Sequence, residues 1–277
     1  MHVKEYGVVA VMTVFALLLQ YTGIYFLVKN YIRRRRGYAA RILLYHKVNN
    51  SSKYLTVSTE KFDRQISYLK NNCTVVSLGE LVECLTAKEI TEDLVVITFD
   101  DGYKDNFDNA LPILRKYKLP ACFFVTSDII GTAKTFKWDD DLELDCPKMT
   151  WDDVREIKQL RYDIGAHTVN HSDLGDIPLS SARFEIRSPK DRIAREVNVE
   201  VKFFSYPFGR KVNVTQPIIE EVKEAGYVCC CSAYGGANFS NSNLFDLKRQ
   251  GVNDYWTFYI FKKYLEGYLD FLHVFRG

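Results

Sequence analysis

Six consecutive positions, Leu94-Val95-Val96-Ile97-Thr98-Phe99, are apolar or β-branched, and the run stops abruptly at Asp100-Asp101-Gly102. A run without polar alternation predicts a strand buried on both faces, as in a parallel sheet. Similar runs recur at 41–46, 73–78, 121–126, 162–167, 201–206, 227–233 and 247–251. Helical spacing fills most of the intervals. Phe62, Ile66 and Leu69 mark one helix behind Ser58 or Thr59 as N-cap, and Leu111, Leu114 and Tyr117 mark another. The stretches 179–197 and 215–225 supply two more. Strand-helix alternation implies parallel strands joined by right-handed crossovers. Eight such runs predict an α/β chain wound into a (β/α) barrel.

In such folds chemistry sits at the carboxyl ends of the strands. Asp100 and Asp101 would deliver two acids to that rim; read blandly, they are an Asp-Gly turn that ends a strand. A second run, Asp163-Ile164-Gly165-Ala166, leads into His167-Thr168-Val169-Asn170-His171. If the chain turns helical after His167, a spacing of four puts both imidazoles on one face. Two neutral imidazoles and one carboxylate are the usual donor set of a catalytic zinc. The alternative is two unrelated surface histidines, which loses weight because the chain has only five.

Thr98-Phe99-Asp100-Asp101-Gly102 and His167-Thr168-Val169-Asn170-His171 match T-F-D-D-G and H-S/T-x-x-H. They are the first two motifs of the polysaccharide deacetylases of carbohydrate esterase family four, which share the nodulation-factor deacetylase homology domain. The resemblance spans roughly residues 41–252. Tyr206-Pro207-Phe208-Gly209 is similar to the third motif, but the arginine usually found two residues before the proline is Ser205 here. The Y-P-F/Y-G form resembles the branch that includes the biofilm poly-N-acetylglucosamine deacetylases. In that permuted branch the L-x-x-H motif comes first in the chain, and Leu43-Leu44-Tyr45-His46 matches it. His273, in an aromatic helical pattern, reads as structural. The resemblance implies a distorted barrel of seven or eight strands and a metal-dependent N-deacetylase. Asp101, His167 and His171 would hold Zn2+, Asp100 would be the general base and His46 the general acid. The backbone N–H of Phe208 would help hold an oxyanion, with Tyr206, Pro207 and Gly209 shaping that side of the substrate site.

Residues 127–150 break the alternation. They hold Trp138, acids from Asp139 to Glu143, and Pro147, and predict a long loop over the barrel mouth. Trp151 follows. Its ring either stacks on a sugar face or packs on the barrel.

Charge patterning adds an N-terminal element. Tyr6 to Val28 carries no charged residue, and Lys29 and Arg33 to Arg36 follow. The run is long enough for a hydrocarbon core of about 30 Å. It predicts one transmembrane anchor (residues 1–28), a basic juxtamembrane linker (29–40) and a catalytic domain (41–277). A cleaved signal peptide is the rival. The positive-inside rule then puts the domain in the cytoplasm, and the arginines either fix topology or also bind anionic head groups. Seven of the 37 Lys and Arg residues, against one of the 35 acids, fall within the first 41 residues. The remainder is mildly acidic, which argues against nucleic-acid binding. Seven cysteines without C-x-x-C spacing indicate neither a disulfide framework nor a Cys-zinc site, and suit a reducing compartment. The aromatic stretch 256–275 reads as a final barrel helix or as an interfacial segment. The expected activity is removal of N-acetyl groups from an N-acetylated sugar or polysaccharide. The alternatives are a deformylase or deacetylase of a lipid-linked sugar, and an inactive sugar-binding scaffold.

Overall fold

The apolar runs become the staves of a parallel barrel in the computed structural model, which describes residues 2–51 and 54–269. The strands are β1 Ala40–Tyr45, β2 Leu94–Phe99, β3 Cys122–Val125, β4 Asp163–Ala166, β5 Phe203–Ser205, β6 Cys229–Cys231 and β7 Arg249–Gly251. They pair in the order β7-β1-β2-β3-β4-β5-β6, every pair parallel. Leu247, just before β7, bridges to Cys231 of β6 and nearly closes the ring. The run at 73–78 yields only the two-residue strand Thr74–Val75, which pairs with the start of β2 off the main path. The ring itself therefore has seven strands.

Every residue of β1 and β2 is buried, as a strand covered on both faces requires. Alternate residues serve two apolar clusters. Leu43, Val95, Ile97, Phe123 and Phe204 pack outward against the surrounding helices. Ile42, Leu94, Val96, Cys122, Phe124, Cys229 and Cys231 pack in a second cluster. Three cysteines are thus small buried hydrophobes, and all seven are free thiols. The helices are α1 His2–Thr22, α2 Ile24–Arg36, α3 Thr59–Asn72, α4 Leu78–Ala87, α5 Leu111–Tyr117, α6 Trp151–Gln159, α7 Leu179–Val197, α8 Gln216–Glu224 and α9 Phe258–Glu266. Leu78, Leu81 and Leu85 of α4 belong to the second cluster. Ser58 caps α3, accepting from the N–H of Lys61. Thr150 and Asp153 form a capping box on α6.

The N-terminal run differs from the expected single anchor. Helices α1 and α2 meet at 89°, and among the described residues no single helix is long and apolar enough to cross a membrane; the bent pair passes only when taken together. The cause is Gly23, whose φ of 70° is left-handed and stops the helix. The second helix then folds onto the amino-terminal pole of the barrel. Ile32 packs with Ala39, Ala237 and Phe239. Arg33 Nη2 donates to Asp93 Oδ2 at 2.6 Å, just before β2 begins. His273 and the end of the 256–275 stretch lie outside the described residues.

Candidate active site

Because the strands are parallel, their carboxyl ends share one rim. The ladder runs one residue past several of them: Asp100 N–H donates to Tyr45 O, His167 N–H to Val125 O and Tyr206 N–H to Cys231 O, each at 3.0 Å. This brings the first residue after each strand to one level. A cavity of about 410 Å³ opens there, lined by His46, Asp100, Asp101, Trp138, His167, His171, Tyr206 and Phe208 among others. That volume lies in the usual range for ligand sites.

The two adjacent carboxylates diverge. The side-chain period of two along β2 gives Asp100 the same face as Thr98, and both meet the Arg249 guanidinium. Asp101 has left the strand. Its φ of 77° is left-handed, and this turns its carboxylate toward the histidines. Oδ1 lies 3.4 Å from Nε2 of both His167 and His171. One possible ligand atom from each of these three residues lies within 4.8 Å of the others. Gly102 must follow: with φ 74°, a Cβ there would meet Ile130 Cδ1 at 2.4 Å. Asp101, Thr168, His171 and Phe208 are all non-glycine residues at positive φ. Such conformations cost of order 1–3 kcal/mol each and gather at functional sites.

The donor set fits a divalent cation. Both oxygens of Asp101 are buried without a hydrogen-bond partner, and buried orphan acceptors are costly unless something binds them. Burial pulls the His171 imidazole down to about 4, so it is neutral at physiological pH. Burial pushes the Asp101 carboxyl up, but the neighbouring histidines outweigh it and hold the group well below the usual carboxylate range. His167 is aimed by Ser205, whose carbonyl oxygen lies 2.9 Å and hydroxyl oxygen 2.6 Å from Nδ1. A proton on Nδ1 directed at that carbonyl leaves the Nε2 lone pair facing Asp101. Ser205, which stands where the resemblance led one to expect an arginine, thus supports a histidine instead.

The missing arginine comes from β7. Arg249 forks onto Asp100, Nη1 to Oδ1 at 2.7 Å and Nη2 to Oδ2 at 2.6 Å. Its Nε donates to Ser232 O at 3.0 Å. Arg249 is fully buried. Burial raises the Asp100 pKa, but Arg249 and His167 hold it below its ordinary value. Asp100 is therefore ionised and rigid. His46, at the end of β1, lines the same cavity, and burial lowers its pKa against the pull of Asp101 and Asp100. Sequence reading missed Arg249, although its place within a strand-like run at 247–251 was a usable signal.

The third-motif turn lies at the rim as expected. Phe208 and Tyr206 line the cavity, and Tyr206 is anchored by donating to Phe245 O at 3.0 Å. Pro207 and Gly209 shape the turn behind them, with Gly209 N–H donating to Pro207 O at 2.6 Å. A Cβ on Gly209 would meet Ala233 N at 2.5 Å. Trp151 is not in the cleft. It is the first residue of α6 and packs against the outer core with Arg192 over its ring. The tryptophan in the cleft is Trp138 of the long loop, 4.8 Å from His171 between ring centroids and 6.2 Å from Phe208. It rides on a helical turn, Lys137–Asp140, of the long loop. Asp139 pins that turn. Its carboxylate, fully buried, pairs with Lys47 Nζ at 2.8 Å and accepts from Tyr103 OH at 2.8 Å. Tyr103 in turn accepts from Trp138 Nε1 at 3.0 Å.

Asp105, one turn beyond the carboxylate pair, sets a pH dependence of stability. Burial pushes its carboxyl up to about 6, against hydrogen bonds from Asn49 and backbone. The folded state thus holds this proton more tightly than the unfolded chain. The sign follows: stability from this group is full below the unfolded pKa near 4 and is lost as pH rises through about 6. Asp105→Asn is expected to gain on the order of 3 kcal/mol at pH 8 and little at pH 4, read from denaturation midpoints at both pH values. An equal effect at both would show that Asp105 does not titrate there.

The profile of the family described as polysaccharide deacetylase matches residues 87–230, more than half of the chain. The chain belongs to the polysaccharide deacetylase family. Among curated relatives it is 26% identical over 227 residues to the polysaccharide deacetylase homologue YxkH of Bacillus subtilis, covering 81% of this chain and 75% of that one. It is 23% identical to the poly-beta-1,6-N-acetyl-D-glucosamine N-deacetylase of Staphylococcus aureus, covering 81% and 78%. Among solved structures it resembles IcaB from Ammonifex degensii, with a TM-score of 0.70 at 20% identity, covering 84% of this chain and 98% of that one. At that identity the structural likeness speaks for the fold. This polysaccharide deacetylase places its first motif at the end of β2 and its second at the end of β4, both on the rim that carries the cleft.

Proposed function

We propose that this polysaccharide deacetylase is a metal-dependent hydrolase that removes N-acetyl groups from an N-acetylated glycan. The observation that carries it is the division of labour at the rim: Asp101, His167 and His171 converge on one point, while Asp100 is turned aside and held by Arg249. Those three residues would hold the cation, most naturally Zn2+ given one carboxylate and two imidazoles. When bound, the cation supplies Lewis acidity toward the amide carbonyl. Asp100, ionised and fixed, accepts the proton of the attacking water. The Phe208 N–H serves as an oxyanion donor beside the cleft. His46 delivers a proton to the amide nitrogen as the C–N bond breaks, so the products are acetate and a free amine. Trp138 and Phe208 offer apolar walls for a sugar ring.

The substrate is read as a chain in the aqueous phase, not a lipid-linked sugar. We assign the bent helix pair to the membrane surface, because Val11, Val14, Leu18, Phe26 and Leu27 expose apolar side chains there and Arg33 to Arg36 end the second helix. Arg33 grips Asp93 before β2, and the cleft opens after Phe99, at the other pole. Six strand residues span about 20 Å, which turns the cleft away from the helix pair.

The test is acetate release from N-acetylglucosamine oligomers by the full chain, after chelation and after zinc is restored. Release that stops on chelation and returns with zinc is the expected result. No acetate from any N-acetylated sugar in the presence of zinc would defeat the proposal. Turnover of a lipid-linked N-acetylated sugar in vesicles, with none of the soluble oligomer, would overturn the substrate reading alone.

A further inference from the structure

His167 and His171 are joined by a loop that is not helical. Thr168 and His171 are both left-handed, with φ of 63° and 61°, and the stretch forms no helix with its neighbours. A backbone of this kind does not hold itself, because its N–H groups find no ladder partners within it. The partner is supplied by a carboxylate on α7. Glu185 Oε2 accepts from the N–H groups of Val169 and Asn170, each at 2.9 Å. Oε1 accepts from Asn170 Nδ2 and from Ser172 Oγ, again each at 2.9 Å. The residue is 5% exposed.

We propose that Glu185 is a positioning residue for the cation site, setting the backbone between the two histidines so that His171 reaches the point shared with Asp101 and His167. Three features carry the assignment. Four donors surround the two oxygens of the carboxyl group, two to each. All four belong to residues 169–172, the segment that spaces the two imidazoles, so the contact has one target. None of them is a cation, so the group is not neutralised by a charge. It is held by neutral donors alone. The carbonyl side of the loop is held separately, Ser127 N–H donating to Thr168 O at 3.1 Å and Asp128 N–H to Val169 O at 3.0 Å, and His171 N–H donates to Thr168 Oγ1 at 2.9 Å. The His171 ring itself has an orphan Nδ1, so no hydrogen bond orients the imidazole directly. Its placement comes from the backbone, whose N–H groups at Val169 and Asn170 are held by Glu185.

This inference rests on the reading of Asp101, His167 and His171 as a metal site, and the experiment separates the two. Zinc affinity is measured by competition with a chromophoric chelator for the full-length parent, Glu185→Ala and Glu185→Gln. Outer-sphere partners of metal ligands are typically worth about 10–100-fold in affinity, and a loss of at least tenfold is expected for Glu185→Ala. Glu185→Gln keeps one acceptor oxygen for the two backbone N–H groups, and the Asn170 amide and Ser172 hydroxyl can reorient toward its NH2, so most of the affinity should return. Amide hydrogen exchange gives a second readout that survives poor folding of the alanine variant. In Glu185→Gln the amides of Val169 and Asn170 should exchange faster while those of β1 and β2 keep the parent rate. Unchanged zinc affinity in Glu185→Ala, unchanged exchange at Val169 and Asn170, or a uniform rise across the barrel would each overturn the inference. Failure of the parent itself to bind zinc would instead defeat the metal reading.

Discussion

Arg249→Ala should lose nearly all turnover and unfold far more easily than the parent. The arginine is fully buried and forks onto Asp100 with bonds of 2.7 and 2.6 Å. Removing one partner of a buried ion pair leaves an uncompensated charge, at a cost of about 3–5 kcal/mol. Asp100 would respond by taking up a proton, because burial pushes its pKa up and Arg249 is the main force holding it down. A protonated Asp100 cannot act as a base. Arg249→Lys should rescue little, since a single ammonium cannot reproduce the planar fork. Chemical denaturation reads the first effect, and a shift of the acid limb of the pH–rate profile to higher pH reads the second. A variant of near-parent stability and turnover would show that the pair is dispensable.

The second large effect separates the adjacent carboxylates. Asp100→Asn should retain bound zinc after dialysis yet lose about 10²–10⁴-fold in turnover, the usual contribution of a general base. It should also be less stable than the parent, because Arg249 keeps its charge and loses its anionic partner. Asp101→Asn should lose the zinc itself, since the only carboxylate within the Asp101, His167 and His171 group has gone. Metal analysis of the two purified variants is the check. Equal metal loss in both would undo the assignment of roles.

These two effects were legible in the sequence to different degrees. The pair Asp100-Asp101 after a buried run, and His167 and His171 after another, could be read because each motif is short and lies at a strand end. Parallel strands must bring such ends to one rim, whatever the loops between them do. His46 could be placed for the same reason. Spacing proved less reliable than position: the expected helical turn from His167 to His171 is a left-handed loop held by Glu185.

Distance along the chain limited the rest. Arg249 is 149 residues from Asp100, and no local pattern links them; only closure of the ring sets β7 beside β1 and aims the guanidinium at the mouth. Trp151 was the candidate read from the sequence, whereas Trp138 was only one residue of the long loop. The buried contacts of Asp139 with Lys47 and Tyr103 turn Trp138 toward the cleft, whereas packing on the outer core removes Trp151. At the N-terminus, hydrophobicity alone suggested one continuous helix. A single glycine at φ 70° bends it by 89°, and the gain from packing α2 on the barrel pole is invisible to a count of apolar residues. The sequence by itself determined the barrel, its chemical rim and the residue types gathered there, because burial patterns and strand ends are local properties. The tertiary structure alone decided which charge stands beside which, because burial removes the water that would otherwise make those pairings optional.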